Sequence, residues 1–187
     1  MNNISYRVAL GGIVSALCLF AMFLTGVFPV LYLVLPMIAG ALITIISTEI
    51  NSKWAFLTYA SVSVISIFVT FDKDAALIFI LFFGHYPIIK EYIEKIKLKV
   101  PQYLIKLAVY NFCVILNFNI TIHIFGMTEM ADEFQEFGKY ALWIFLAFTN
   151  VIFLFYDYSL SGCKTLYTKW LKPKIVGKKH WVSYSFY

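Results

Sequence analysis

The chain has 187 residues, of which 61% are hydrophobic, 19% aromatic and 13% charged, and its formal net charge is +5. A soluble domain carries about 25% charged residues and covers much of its exterior with polar groups. These values therefore exclude a water-soluble globular enzyme, and also a disordered chain, which needs low hydrophobicity.

Lipid is the solvent this composition fits. A bilayer core about 30 Å thick is crossed by about 20 apolar residues in a helix. Val8–Thr48 runs 41 residues without a charge, enough for two helices, and Thr25-Gly26-Val27-Phe28-Pro29 supplies turn residues near its middle. Further charge-free runs follow at Trp54–Phe71 (18 residues), Ala75–Ile89 (15), Leu107–Thr128 (22) and Tyr140–Tyr156 (17). This predicts an all-α integral membrane bundle of six transmembrane helices over residues 1–157, with 158–187 as a basic amphipathic tail. The fourth helix is short and carries Pro87 near its end. Segments such as Ile43–Ile46 and Leu77–Phe83 are apolar all round, whereas a helix at the surface of a soluble protein keeps a polar face.

Lysine and arginine in short loops set the orientation. With the amino terminus cytoplasmic, 13 of the 15 basic residues fall on one side, and only Lys73 and Lys139 fall opposite. Both termini are then cytoplasmic, and the acidic loop Glu129, Asp132, Glu133, Glu136 lies outside. The expected location is the cell membrane, as a multi-pass protein. The first helix reads as retained: no small-x-small cleavage site with a polar region follows Leu24, and Leu17 before Cys18 argues against lipoprotein processing.

The first helix also carries Gly11, Gly12, Ser15 and Ala16. Gly12-x-x-x-Ala16 and Gly11-x-x-x-Ser15 make a flat strip where another helix approaches closely. That helix belongs either to this chain, with Ala39-Gly40-Ala41 as its mate, or to a partner subunit. Asp72-Lys73-Asp74 reads as an exposed turn. In the fourth helix, Gly84 and Pro87 flank His85 and Tyr86. Such a break frees backbone carbonyls and serves either helix packing or a binding site. The fifth helix holds Asn111, Asn117, Asn119, Thr121 and His123. Asn119 and His123 share one face and Asn117 and Thr121 another. The first pair either bonds between helices or lines a solute pocket in the outer half, with Trp143 from the sixth helix.

Lys90–Lys99 reads as a short amphipathic helix in a loop. In the tail, Leu160, Cys163, Tyr167 and Trp170 recur at helical spacing among Lys164, Lys169, Lys172 and Lys174. This pattern suits a helix on the inner leaflet, drawn to anionic membrane lipids. Positive-inside topology accounts for the basic charge, so nucleic acid is not an expected partner.

Several chemistries find no support. Ser159-Leu160-Ser161-Gly162 lacks the leading glycine of a nucleophile turn, and no His-Glu-x-x-His motif is present. An ion relay needs acidic groups at mid-membrane depth; Asp157, the closest, falls at the inner end of the sixth helix. Cys18, Cys113 and Cys163 are odd in number and far apart, which suits small apolar filler better than a disulfide or metal cluster. No enzyme activity, cofactor or metal is expected.

Six short helices, cytoplasmic ends and a small-x-x-x-small strip on the first helix resemble the substrate-binding S component of energy-coupling-factor transporters. In that family an alanine-x-x-x-alanine strip docks on the coupling transmembrane subunit; Gly12 and Ala16 stand at the matching positions here, with glycine in place of the first alanine. The resemblance implies a small solute in the outer half, capped by the loop between the first two helices, here Thr25–Pro29, with ATPase subunits as further partners. The chain itself has no glycine-rich phosphate loop. Asp72-Lys73-Asp74 and Gly84-His85-Tyr86-Pro87 also resemble stretches of related small six-helix membrane proteins. A structural or assembly protein without a small ligand is the alternative.

Overall fold

A computed structural model describes residues 4–123 and 140–172. Every regular element among the described residues is helical: α1 (Ile4–Val27), α2 (Val34–Glu49), α3 (Ser52–Val69), α4 (Lys73–Ile78), α5 (Tyr86–Ile93), α6 (Lys99–His123) and α7 (Ala141–Leu166). A 3-10 turn, Pro29–Leu31, joins α1 to α2, and π-helical turns occupy Phe79–Phe83 and Tyr167–Leu171. The expected fourth helix is thus α4 and α5 joined by a π-turn, the fifth is α6 and the sixth is α7.

Five helices are long and apolar enough to cross a membrane, counting Lys73–Ile93 as one. The shorter α2 has 16 residues, about 24 Å of helix. Large apolar side chains such as Phe68, Phe112 and Phe155 point outward from the bundle. This reversal of the soluble pattern removes apolar surface from water only if lipid covers it.

Successive segments run antiparallel. Contacts at one end join Ser47 on α2 with Glu91 on α5, and Glu91 with Lys164 on α7. Contacts at the other join Asp74 on α4 with Thr121 on α6, and Gly26 on α1 with Phe71 after α3. We call these the lysine-rich end and the Asp74 end. The short α2 is central, packing on α1, α3, the first π-turn, α5 and α7. The core beside it is aromatic: Phe79, Phe82, Phe83, Tyr86, Tyr110, Phe153 and Tyr156 are all buried. Within it the Tyr110 and Phe153 rings stack at 4.7 Å.

Local chemistry sets the helix ends. The Asn51 side chain accepts from the Trp54 amide at 2.9 Å, capping α3. Asp72 does the same for α4, accepting from Ala75 at 3.1 Å. Between them Lys73 folds back and donates to the Ile67 and Thr70 carbonyls at 2.8 and 3.0 Å, neutralising the negative end of α3. Asp72-Lys73-Asp74 is therefore a double cap as well as a turn.

The break in the fourth segment is real and its orphaned groups are satisfied. The Gly84 amide donates to the Phe79 carbonyl at 2.8 Å, one residue further back than in an α-helix. That leaves the Ile80 carbonyl, which takes the Tyr59 hydroxyl at 2.7 Å. Pro87 has no N–H for the Phe83 carbonyl; Tyr156 donates its hydroxyl there instead, at 3.3 Å.

Some expectations need correction. Thr25 and Gly26 do not turn but continue α1, and the turn lies at Phe28–Leu33. Gly26 is needed for closeness instead, since a Cβ there would sit 2.8 Å from atoms of Phe71. Within the Ala39-Gly40-Ala41 strip, Gly40 lies against the Phe83 carbonyl and the Tyr156 hydroxyl. Ala39 meets α1, its carbonyl accepting the Cys18 thiol at 3.3 Å, so this strip also faces the first helix. The α7 helix passes residue 157 unbroken to Leu166, so the first part of the expected tail continues the bundle. Residues 124–128 of the expected fifth helix, the acidic loop and 173–187 of the tail lie outside the described residues.

Candidate functional site

The helix-break residues His85 and Tyr86 make their contacts within the bundle. The His85 ring nitrogen Nδ1 lies 3.3 Å from the Ile80 carbonyl, and the ring meets Tyr59 edge-on at 5.8 Å. Tyr86 is fully buried, and its hydroxyl donates to Asp157 Oδ1 at 2.6 Å.

That bond belongs to a charged network that the count of loop lysines misassigned. Lys90, Lys106 and Asp157 are only 5%, 3% and 8% exposed. Lys90 Nζ lies 2.9 Å from Asp157 Oδ1 and donates to Ser161 Oγ at 2.7 Å and to the Asp157 carbonyl. Lys106 Nζ holds Asp157 Oδ2 at 3.0 Å and Glu94 Oε1 at 3.0 Å. The two ammonium groups and two carboxylates sum to zero, which is how charge survives burial. Lys106 is inside because α6 begins at Lys99, well before the charge-free run, with Pro101 tolerated in its first turn. This network locks α5, α6 and α7 together. Nearby, Lys164 pairs with Glu91 at 2.8 Å and Lys172 with Glu49 at 2.9 Å, so two tail lysines are bound to the bundle.

At the Asp74 end lies a cavity of about 210 Å³. The α1–α2 connection contributes Tyr32 and Leu33, α4 contributes Asp74 and Ile78, and the π-turn contributes Phe82 and Phe83. One face of α6 lines it with Tyr110, Val114, Asn117 and Thr121, and α7 closes it with Phe145 and Phe148. Thr121 donates its hydroxyl to Asp74 Oδ1 at 2.9 Å. Asn117 Oδ1 is buried with no hydrogen-bond partner among the described residues. Mostly apolar walls with a few converging polar groups are the usual make-up of a small-molecule site.

A second hollow of about 260 Å³ lies between α2 and α7 and has Thr44, Thr48 and Lys164 in a largely apolar lining. Thr48 spends its hydroxyl on the Thr44 carbonyl at 2.7 Å and Lys164 its charge on Glu91. The Thr44 hydroxyl is buried with no hydrogen-bond partner among the described residues, and few other polar groups are left there to orient a ligand.

The structure does not bring the expected outer-half residues together in a pocket. Asn119 is exposed and donates to the Ile115 carbonyl of its own helix at 2.7 Å. His123 is exposed and Trp143 is 70% exposed, and neither lines the cavity. The other polar pair of that helix, Asn117 and Thr121, faces inward. Sequence spacing identified both faces but not which one the bundle buries. Asp74, read as part of a turn, was missed as a lining residue, and Tyr110 carried no separate signal.

The small-residue strip divides in two. A Cβ at Gly11 would meet the Thr58 hydroxyl at 3.7 Å, so this side packs on α3. Gly12 has nothing within 4 Å and is exposed, as is Ala16, while Ser15 is half-buried. Among the described residues no cluster of three or more histidine, cysteine or acidic side chains is placed to hold a metal.

Compared with protein-family models, curated proteins and solved structures, the chain matches none of them.

Proposed function

We propose that this chain is the solute-binding subunit of an uptake transporter of the energy-coupling-factor type, held in the cell membrane with both termini cytoplasmic. The observation that carries the reading is the cavity at the Asp74 end, where Asp74, Asn117 and Thr121 converge within aromatic walls. With the lysine-rich end cytoplasmic, this cavity opens in the outer half, where an uptake protein meets its solute. Tyr32 and Leu33 reach it from the connection between α1 and α2, the position of the capping loop in the family the sequence resembles. The outward, unobstructed Gly12 and Ala16 suit docking of a coupling subunit, and ATP hydrolysis belongs to partner subunits. The chain is not an enzyme in this reading.

The test joins binding to docking. Purified full-length protein is screened by thermal shift against a library of small solutes, and uptake is followed in cells with Gly12→Leu and Ala16→Leu. Stabilisation by one solute class, with uptake lost in both variants, is expected. If no solute stabilises the protein and the variants change nothing, the reading fails. That outcome favours an assembly protein without a ligand, a reading supported by the packing roles of His85 and Tyr86.

A further inference from the structure

The cavity at the Asp74 end is lined by two notable acceptors, the Asp74 carboxylate and Asn117 Oδ1. Asp74 Oδ1 is held by the Thr121 hydroxyl, and among the described residues no lysine, arginine or histidine nitrogen forms an ion pair with this carboxylate. The adjacent Lys73 spends its ammonium on the Ile67 and Thr70 carbonyls. Asp74 is half-buried, and a carboxylate partly withdrawn from water beside apolar walls is stabilised when a cation meets it. Asn117 Oδ1, buried with no hydrogen-bond partner among the described residues, is an acceptor as well. The walls add Phe82, Phe118, Phe145 and Phe148, and aromatic faces attract cations and repel anions.

Size narrows the class. The cavity, at about 210 Å³, is larger than the roughly 150 Å³ that admits a benzene molecule in a protein core. One ring with a short tether fits. A bare metal ion is a poor match, since it requires several oxygen or nitrogen ligands and the walls are mainly aromatic.

We propose that the cavity binds a small organic ammonium ion, with its nitrogen at Asp74 and Asn117 and its apolar body against Phe82, Phe118 and Phe148. This rests on the solute-binding reading and names the chemical class of the solute.

The test uses purified full-length protein at pH 7 and three probes of one shape: 2-phenylethylamine, which is cationic, 2-phenylethanol, which is neutral, and 3-phenylpropionate, which is anionic. Titration calorimetry is expected to give the amine at least tenfold tighter binding than the alcohol, with the acid weakest. Asp74→Asn is expected to reduce the preference for the amine over the alcohol to less than threefold. Equal binding of the three probes by the unaltered protein overturns the charge assignment and leaves the solute-binding reading standing, because a ligand has bound. Undiminished amine preference in Asp74→Asn also overturns it. If none of the three binds, the ammonium assignment falls, and the broader reading is decided separately by the solute screen and the docking variants. The comparison of probes on the unaltered protein needs no variant to fold.

Discussion

Lys106, about two turns inside α6, holds both carboxylate oxygens of Asp157 on α7, at 3.1 and 3.0 Å. Together with buried Lys90 and the more exposed Glu94 this makes a neutral set of four charges. Removing one partner of a buried pair leaves an uncompensated charge and costs about 3–5 kcal/mol. Asp157→Asn is therefore expected to lower stability in detergent by that order, as measured by denaturant unfolding. Adding Lys106→Met to Asp157→Asn leaves Lys90 facing Glu94, restores neutrality and recovers part of the loss. A cost below about 1 kcal/mol for Asp157→Asn would contradict the network.

Asn111 and Asn150 exchange amide hydrogen bonds between α6 and α7, at 3.1 and 3.0 Å. Each also bonds to its own helix, to the Leu107 and Leu146 carbonyls. Polar pairs between membrane helices contribute about 0.6 kcal/mol on average and up to about 1.7. A double-mutant cycle with Asn111→Leu and Asn150→Leu is expected to give a coupling energy of about 1 kcal/mol. Additive effects would mean that the two amides act separately.

Gly40 and Gly12 differ in their surroundings although both lie in helices. A Cβ on Gly40 would collide with the Phe83 carbonyl and lie 2.6 Å from the Tyr156 hydroxyl, whereas one on Gly12 meets nothing within 4 Å. Backbone cannot yield as a flexible side chain does, so Gly40→Ala is expected to cost about 1–3 kcal/mol. Gly12→Ala should leave thermal stability unchanged or raise it by up to about 1 kcal/mol through helix propensity. Equal melting temperatures for the two variants would count against this packing of α2.

Val30 and Lys97 are both exposed, at opposite ends of the bundle. In a Cys163→Ser background the remaining cysteines, Cys18 and Cys113, are buried. Under the proposed orientation a membrane-impermeant maleimide should label Val30→Cys in intact cells and Lys97→Cys only in inverted vesicles. The reverse pattern would invert the topology and move the cavity to the cytoplasmic half.

Much of the helix pattern was legible in the sequence because a charge inside lipid is expensive, and long uncharged runs therefore mark spans. The candidate site was half legible. Asn117 and Thr121 stand four residues apart, and that spacing alone puts them on one helix face. Their partner Asp74 lies 47 residues from Thr121, and no local pattern links the two.

Composition and charge placement determined by themselves that this chain is a helical protein suited to lipid, and nearly where each helix lies. Which polar face looks inward was decided only by tertiary packing, which turned Asn117 toward the cavity and left Asn119 on the surface. Packing also decided that Lys90 and Lys106 are core residues. A lysine at the edge of a span reads as a loop charge until a carboxylate from a distant helix arrives to neutralise it, and Asp157 does this through the fold.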